Sequence, residues 1–85
     1  MKFKDLTLRV LTPEGTAFEG PVDAVWLPGS LSSFEVLPGH APIISSLDKG
    51  EVIWKAAGVK SAIAIRSGSM ILEDGLLTVC AQVGS

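Results

Sequence analysis

Residues 51–83 read EVIWKAAGVKSAIAIRSGSMILEDGLLTVCAQV, and the fold follows from how that stretch divides. Glu51-Val52-Ile53-Trp54-Lys55 is rich in residues that favour a pleated, half-buried surface and predicts a strand. Ala57-Gly58-Val59-Lys60 supplies a hairpin connection. Ser61 to Arg66 and Ser69 to Leu72 are expected as two further strands, on either side of Ser67-Gly68. Glu73-Asp74-Gly75 carries the Asp-Gly signal of a tight hairpin, since both central residues of such a turn need positive φ. Leu76 to Val83 is the last strand, with Gly84-Ser85 as a tail. No part of the stretch has a helical period.

The same punctuation runs through the upstream half. Leu6-Thr7-Leu8-Arg9-Val10 alternates, so Leu6, Leu8 and Val10 share one strand face. Thr12-Pro13-Glu14-Gly15 is turn chemistry. Thr16 to Glu19 is a short strand stopped by Gly20-Pro21. Val22 to Leu27 is apolar on both faces, with Val22, Ala24 and Trp26 pointing one way and Asp23, Val25 and Leu27 the other; such a strand is central or covered. Pro28 to Ser33 is a loop, Phe34 to Leu37 a short apolar strand, and Pro42 to Leu47 an extended segment, with Asp48-Lys49-Gly50 turning into Glu51. Short strands at close, regular intervals predict an all-β fold, a small β-sandwich of about eight to ten strands in a single domain over residues 1–85. Leu8, Val10, Val22, Trp26, Val52, Trp54 and Val79 are the expected core, and Cys80 is expected to join it as a small apolar residue.

Composition narrows the function. The chain has 85 residues, 47% of them hydrophobic and 19% charged, with a mean hydropathy of +0.44. A chain this short has little interior, so part of that apolar content is expected on the surface as partner contacts. Seven basic against nine acidic residues give a net charge of -2, and no basic stripe is present to bind nucleic acid. One cysteine excludes an internal disulfide and a cysteine-based zinc site, and a free thiol fits a reducing compartment. Met1-Lys2-Phe3-Lys4-Asp5 leads into no long apolar run, so no signal peptide is expected. No stretch approaches the roughly 20 apolar residues that cross a bilayer as a helix.

Catalytic chemistry finds no support either. The single histidine, His40, has no second histidine with which to share a metal. The pattern G-x-S-x-G is absent, and no glycine-rich loop with a lysine is present to cradle phosphate. Glu73 and Asp74 are explained as a solvated hairpin tip. His40 itself sits in FEVLPGHAPII, residues 34–44, between Pro38-Gly39 and Pro42. Two readings remain open for it: a loop histidine satisfied by nearby backbone, or an interface residue held out on a stiffened loop.

A family resemblance bears on that choice. VDAVWLPGSLSSFEVLPGHAPIISSLDKGEV, preceded by LRVLTPEGTAFEG and followed by IRSGSMILEDGLLTVCA, resembles the N-terminal β-sandwich domain of the ε subunit of rotary ATP synthase. Val22-Asp23, Leu27-Pro28-Gly29, Val36-Leu37-Pro38-Gly39-His40-Ala41-Pro42 and Leu47-Asp48-Lys49-Gly50 match that pattern in order and spacing, over nearly the whole chain. The resemblance implies a rotor subunit without catalytic residues or cofactor. Such a subunit lies at the foot of the γ subunit and against the ring of c subunits, and helps couple proton or sodium flow to ATP synthesis. It implies a peripheral position at the cytoplasmic face of a bacterial inner membrane, with no insertion into the bilayer. Pro38, Gly39, His40, Ala41, Pro42 and Ile43 would face γ. Pro28, Gly29, Ser30, Leu31, Ser32 and Ser33 would face the c ring.

Three departures stand out. Members usually continue into a pair of helices after the sandwich; the Met1 start and the stop at Ser85 suggest a short form without them. The inhibition of hydrolysis and the ATP binding associated with that pair are therefore not carried over. The 29–33 loop has neither the second glycine nor the carboxylate common in the family. Ser67-Gly68-Ser69-Met70 replaces a Gly-Gly-aromatic turn, with Met70 free to fill the space. The competing expectation is a free-standing sandwich that binds a small ligand in a concave pocket.

Overall fold

A long bent hairpin organises the molecule. In the computed structural model, which describes residues 5–83, eight strands form: β1 (Thr7–Thr12), β2 (Gly15–Pro21), β3 (Ala24–Pro28), β4 (Ser33–Val36), β5 (Ile43–Leu47), β6 (Gly50–Ala56), β7 (Val59–Glu73) and β8 (Leu76–Val83). No helix is present among the described residues. The strands β5 and β6 run in one line along the same edge of β7. Ile43 lies opposite Leu72 and Leu47 opposite Gly68; Gly50 then lies opposite Ile65 and Ala56 opposite Val59. The register passes through Asp48-Lys49 without a slip.

The hairpin serves both layers of the sandwich. The first half of β7 pairs with β6, and through it the sheet continues to β3 and β4. The second half pairs with β8, which lies parallel to β1, with β2 at the edge. A register shift between Ile65 and Ser67 marks the hand-over, as expected of a bulge, which bends a strand and raises its twist. The inner faces enclose one core that draws on β1, β3, β4, β5, β6, β7 and β8, including Leu8, Val10, Val25, Leu27, Val36, Val52, Leu77 and Val79.

Turn chemistry sets the hairpins. Ala57 and Gly58 have φ of 51° and 81°, and Asp74 and Gly75 have 53° and 76°. Positive φ at both central residues is the signature of the type I′ turn, whose twist matches that of the flanking strands. Pro13 and Glu14 make the turn between β1 and β2, and Gly15 adopts φ 127° where β2 begins.

Three expectations require correction. Ser61–Arg66 and Ser69–Leu72 are not two strands but parts of the 15-residue β7. Gly68 does not turn the chain; a Cβ there would meet the Cys80 carbonyl oxygen at 2.6 Å, so it admits close approach of β8. Cys80 is exposed, because Val79 and Ala81 take the inward positions of β8. On β3, Val25 and Leu27 are the core-facing pair. Val22 is buried ahead of that strand, with its N–H donated to the Leu6 carbonyl, and Trp26 is half-buried on the outer face with Lys60 Nζ 4.9 Å from its ring centroid. All seven expected core residues are nonetheless at least partly buried. The Gly84-Ser85 tail and Met1 to Lys4 lie outside the described residues.

Candidate interface loops

The loop between β3 and β4 is tied down at its base. Pro28 closes β3 opposite Ser33, the first residue of β4. The Gly29 N–H donates to the Leu27 carbonyl (3.1 Å), the Ser30 N–H to the Ser46 carbonyl (3.3 Å), and the Asp48 N–H to the Pro28 carbonyl (2.8 Å). Gly29 also bridges to Leu47, so the loop is strapped to the far end of β5. Ser30 Oγ donates to Asp48 Oδ1 at 3.2 Å. Glycine at position 29 is required by packing: a Cβ would lie 2.6 Å from the Ser32 carbonyl oxygen and 2.7 Å from the Phe34 ring. Beyond this base, Leu31, Ser32 and Ser33 are exposed. Leu31 has a relative exposure of 101%, that of a side chain meeting nothing.

The loop from β4 to β5 crosses between the layers. Pro38 and Gly39 occupy the centre of a turn closed by the His40 N–H donating to the Leu37 carbonyl at 3.1 Å. Gly39 has φ 88°, and proline followed by glycine at positive φ is the type II arrangement. His40 Nδ1 lies 2.7 Å from the Ala41 carbonyl oxygen. That oxygen only accepts, so Nδ1 is the donor in this bond. His40, Ala41 and Pro42 are exposed, and Pro42 leads directly into β5.

The two adjacent isoleucines then diverge. Ile43 is half-buried and packs against the core, while Ile44 is 76% exposed. This is the alternation that strand geometry imposes. Ile44 lies opposite Ile71 of β7, which is also exposed, and the two share a surface groove with Pro42. Ile71 was not anticipated from the sequence. Its signal was the run Met70-Ile71-Leu72, in which the middle residue must point away from the core that its neighbours enter.

The loops occupy opposite ends of the same two strands. β4 runs from Ser33 to Val36, and β5 returns from Ile43 to Leu47. The 28–33 loop meets the start of β4 and the end of β5; the 37–42 loop joins the end of β4 to the start of β5. Among the described residues, no group of three His, Cys, Asp or Glu side chains is placed to hold a metal ion.

Residues 5–84 match the family model described as "ATP synthase, Delta/Epsilon chain, beta-sandwich domain". The chain belongs to this family. Among curated relatives, the ATP synthase epsilon chain of Sulfurovum sp. (strain NBC37-1) is 44% identical over 70 residues, covering 81% of this chain and 55% of the relative. That of Synechococcus elongatus is 38% identical over 74 residues, covering 87% and 54%. The chain thus spans about half the length of the curated relatives it matches. A chain in the Euglena gracilis mitochondrial ATP synthase structure, described as OSCP/F1/c-ring, superposes with a TM-score of 0.85 at 20% identity, covering 92% of this chain and 51% of that one. One in the Tetrahymena thermophila central stalk/c-ring structure gives 0.78 at 11% identity, covering 96% and 66%. At these identities the two structures establish a shared fold.

Proposed function

We propose that this chain is a non-catalytic rotor subunit of a rotary, proton- or sodium-translocating ATP synthase, linking the γ subunit to the c ring. In this reading Pro38, Gly39, His40, Ala41, Pro42 and Ile43 meet γ. Pro28, Gly29, Ser30, Leu31, Ser32 and Ser33 meet the c ring. The subunit sits peripherally at the cytoplasmic face of a bacterial inner membrane, uses no cofactor and inserts nothing into the bilayer.

The observation that carries the reading is the placement of the loops. A coupling element needs two contact surfaces and a stiff body between them. Both loops are pinned by backbone hydrogen bonds before any partner arrives, which lowers the entropy cost of docking. They stand at opposite ends of β4 and β5, so load applied at one reaches the other through hydrogen-bonded strands. Family membership supports this choice of partners, as do the curated relatives named ATP synthase epsilon chain.

Purification tests the proposal. The tagged chain, expressed in its own host, should recover γ and c subunits together. Recovery of neither, with a bound small molecule instead, would replace the rotor reading with that of a ligand-binding sandwich.

A further inference from the structure

We propose that Asp48 and Gly50 are positioning residues for the 28–33 loop: they fix its base, so that the exposed tip beyond Ser30 is presented in one conformation. The proposal rests on the reading of that loop as a contact surface, but it concerns how the loop is held and not what it meets.

Leu47-Asp48-Lys49-Gly50 reads in sequence as a turn. In the structure it does not reverse the chain, because β5 and β6 follow one another along the same edge of β7 with an unbroken register. The segment instead lies against the base of the 28–33 loop. The Asp48 N–H donates to the Pro28 carbonyl at 2.8 Å, and Asp48 Oδ1 accepts from Ser30 Oγ at 3.2 Å. Just upstream, the Ser46 carbonyl accepts the Ser30 N–H at 3.3 Å, and Leu47 bridges to Gly29.

Gly50 acts through what it lacks. A Cβ there would lie 2.8 Å from Cβ and 3.2 Å from Cγ of Pro28. A proline ring is locked to its own backbone and cannot swing aside as a long side chain would. Pro28 is also the last residue of β3, paired with Ser33 across the loop. A methyl group at position 50 would therefore displace the start of the loop. Gly29 passes the constraint towards the tip, since a Cβ on it would lie 2.6 Å from the Ser32 carbonyl oxygen.

The chemistry needed at position 48 is that of an acceptor and not of a charge. The Ser30 hydroxyl donates to one carboxylate oxygen, and an amide oxygen accepts the same bond. The bond is exposed, so its loss bears on the order of the loop and little on the global fold; exposed loops open locally at low free energy.

Amide hydrogen exchange of the native full chain, read at positions 30 and 48, tests the positioning. The Thr7 amide, bonded to the Gly75 carbonyl on the other layer, is the internal control. Asp48→Ala and Ser30→Ala should each lower protection at position 30 by about two- to tenfold, the factor that one net hydrogen bond supplies. The double variant should lower it no further, because both changes remove the same bond. Asp48→Asn should restore it. Gly50→Ala should lower protection at positions 30 and 48 more than at Thr7. Melting temperature should be unchanged in Asp48→Ala. Affinity for a purified γ–c-ring complex should fall in Asp48→Ala and recover in Asp48→Asn, by a factor no larger than the loss of protection, since only the open fraction fails to dock. Unchanged protection at position 30 in Asp48→Ala, an equal loss at Thr7, or no recovery in Asp48→Asn would overturn the proposal. Lost protection at position 30 with full affinity for the complex would uphold the positioning and overturn the assignment of the loop to the ring.

Discussion

The rings of Phe18 and Trp54 lie 4.9 Å apart between centroids, tilted by 39°, although their strands are separated in the sheet by β1, β8 and β7. Phe18 belongs to the edge strand β2 and Trp54 to β6, so this contact closes one layer over the other. Trp54 is buried and Phe18 half-buried. Truncating Trp54 to alanine should cost about 3–5 kcal/mol, a large part of the roughly 5–15 kcal/mol available to a small domain. Phe18→Ala should cost less. A double-mutant cycle with Phe18→Leu and Trp54→Leu, followed by urea unfolding, should give a coupling of about 0.5–1.5 kcal/mol. Additive effects would mean that the rings act as separate apolar groups.

Ala57 holds φ at 51° in the turn between β6 and β7. A Cβ in the left-handed region costs about 1–2 kcal/mol, and asparagine tolerates that region better than alanine. Ala57→Asn converts the turn to Asn-Gly, the preferred type I′ pair. It should raise stability by about 0.5–1 kcal/mol, seen as a higher urea midpoint with an unchanged m value. A lower midpoint would show that the turn is not type I′.

The contrast between two glycines tests the path of β7. At Gly68 an added methyl group would meet the Cys80 carbonyl at 2.6 Å and the Ala81 Cα at 3.3 Å, both backbone atoms of β8. At Gly20 the nearest atom is on the flexible ring of Phe18, at 3.5 Å. Gly68→Ala should cost about 1–3 kcal/mol, and Gly20→Ala well under 1 kcal/mol by the usual surface rule. Equal effects at the two sites would place Gly68 in a turn.

These positions also mark what the sequence made legible. The Asp74-Gly75 and Pro38-Gly39 turns were readable because their chemistry is local: a residue type meets a φ requirement within four residues. Gly68 was misread because a glycine that turns the chain and one that admits a neighbouring backbone look alike in one dimension. Cys80 was misread from the apolarity of its neighbours, whereas the phase of β8 is set by Val79 and Ala81 meeting the opposite layer. Both 28–33 and 37–42 were recognisable as loops. Their placement at opposite ends of β4 and β5 was not, since it depends on the Gly29–Leu47 bridge between segments distant in sequence.

Cys80 gives a direct check on the phase of β8. Its thiol is exposed, on the face opposite Val79 and Ala81. A thiol reagent should modify the native chain at one group per molecule, without waiting for global unfolding. Cys80→Ser should change stability by under about 0.5 kcal/mol. Protection of the thiol until unfolding would put Cys80 in the core and shift β8 by one residue.

His40 decides between a structural and a docking role for the 37–42 loop. Its backbone N–H closes the Pro38-Gly39 turn, a bond that substitution by alanine leaves in place. Its ring makes one hydrogen bond, to the Ala41 carbonyl, in an exposed setting where the carbonyl can turn to water instead. His40→Ala should therefore cost the isolated chain less than about 1 kcal/mol. At a desolvated γ interface the same change removes a polar group whose partner stays buried, and should weaken binding by about 1–3 kcal/mol. Gly39→Ala is the complementary variant. A Cβ at φ 88° strains the turn itself, so it should lower both stability and γ affinity. Thermal unfolding and γ binding measured on all three chains separate the roles. Loss of affinity in His40→Ala with an unchanged melting temperature supports docking. A large fall in melting temperature with affinity intact would make His40 a structural residue and remove it from the γ surface.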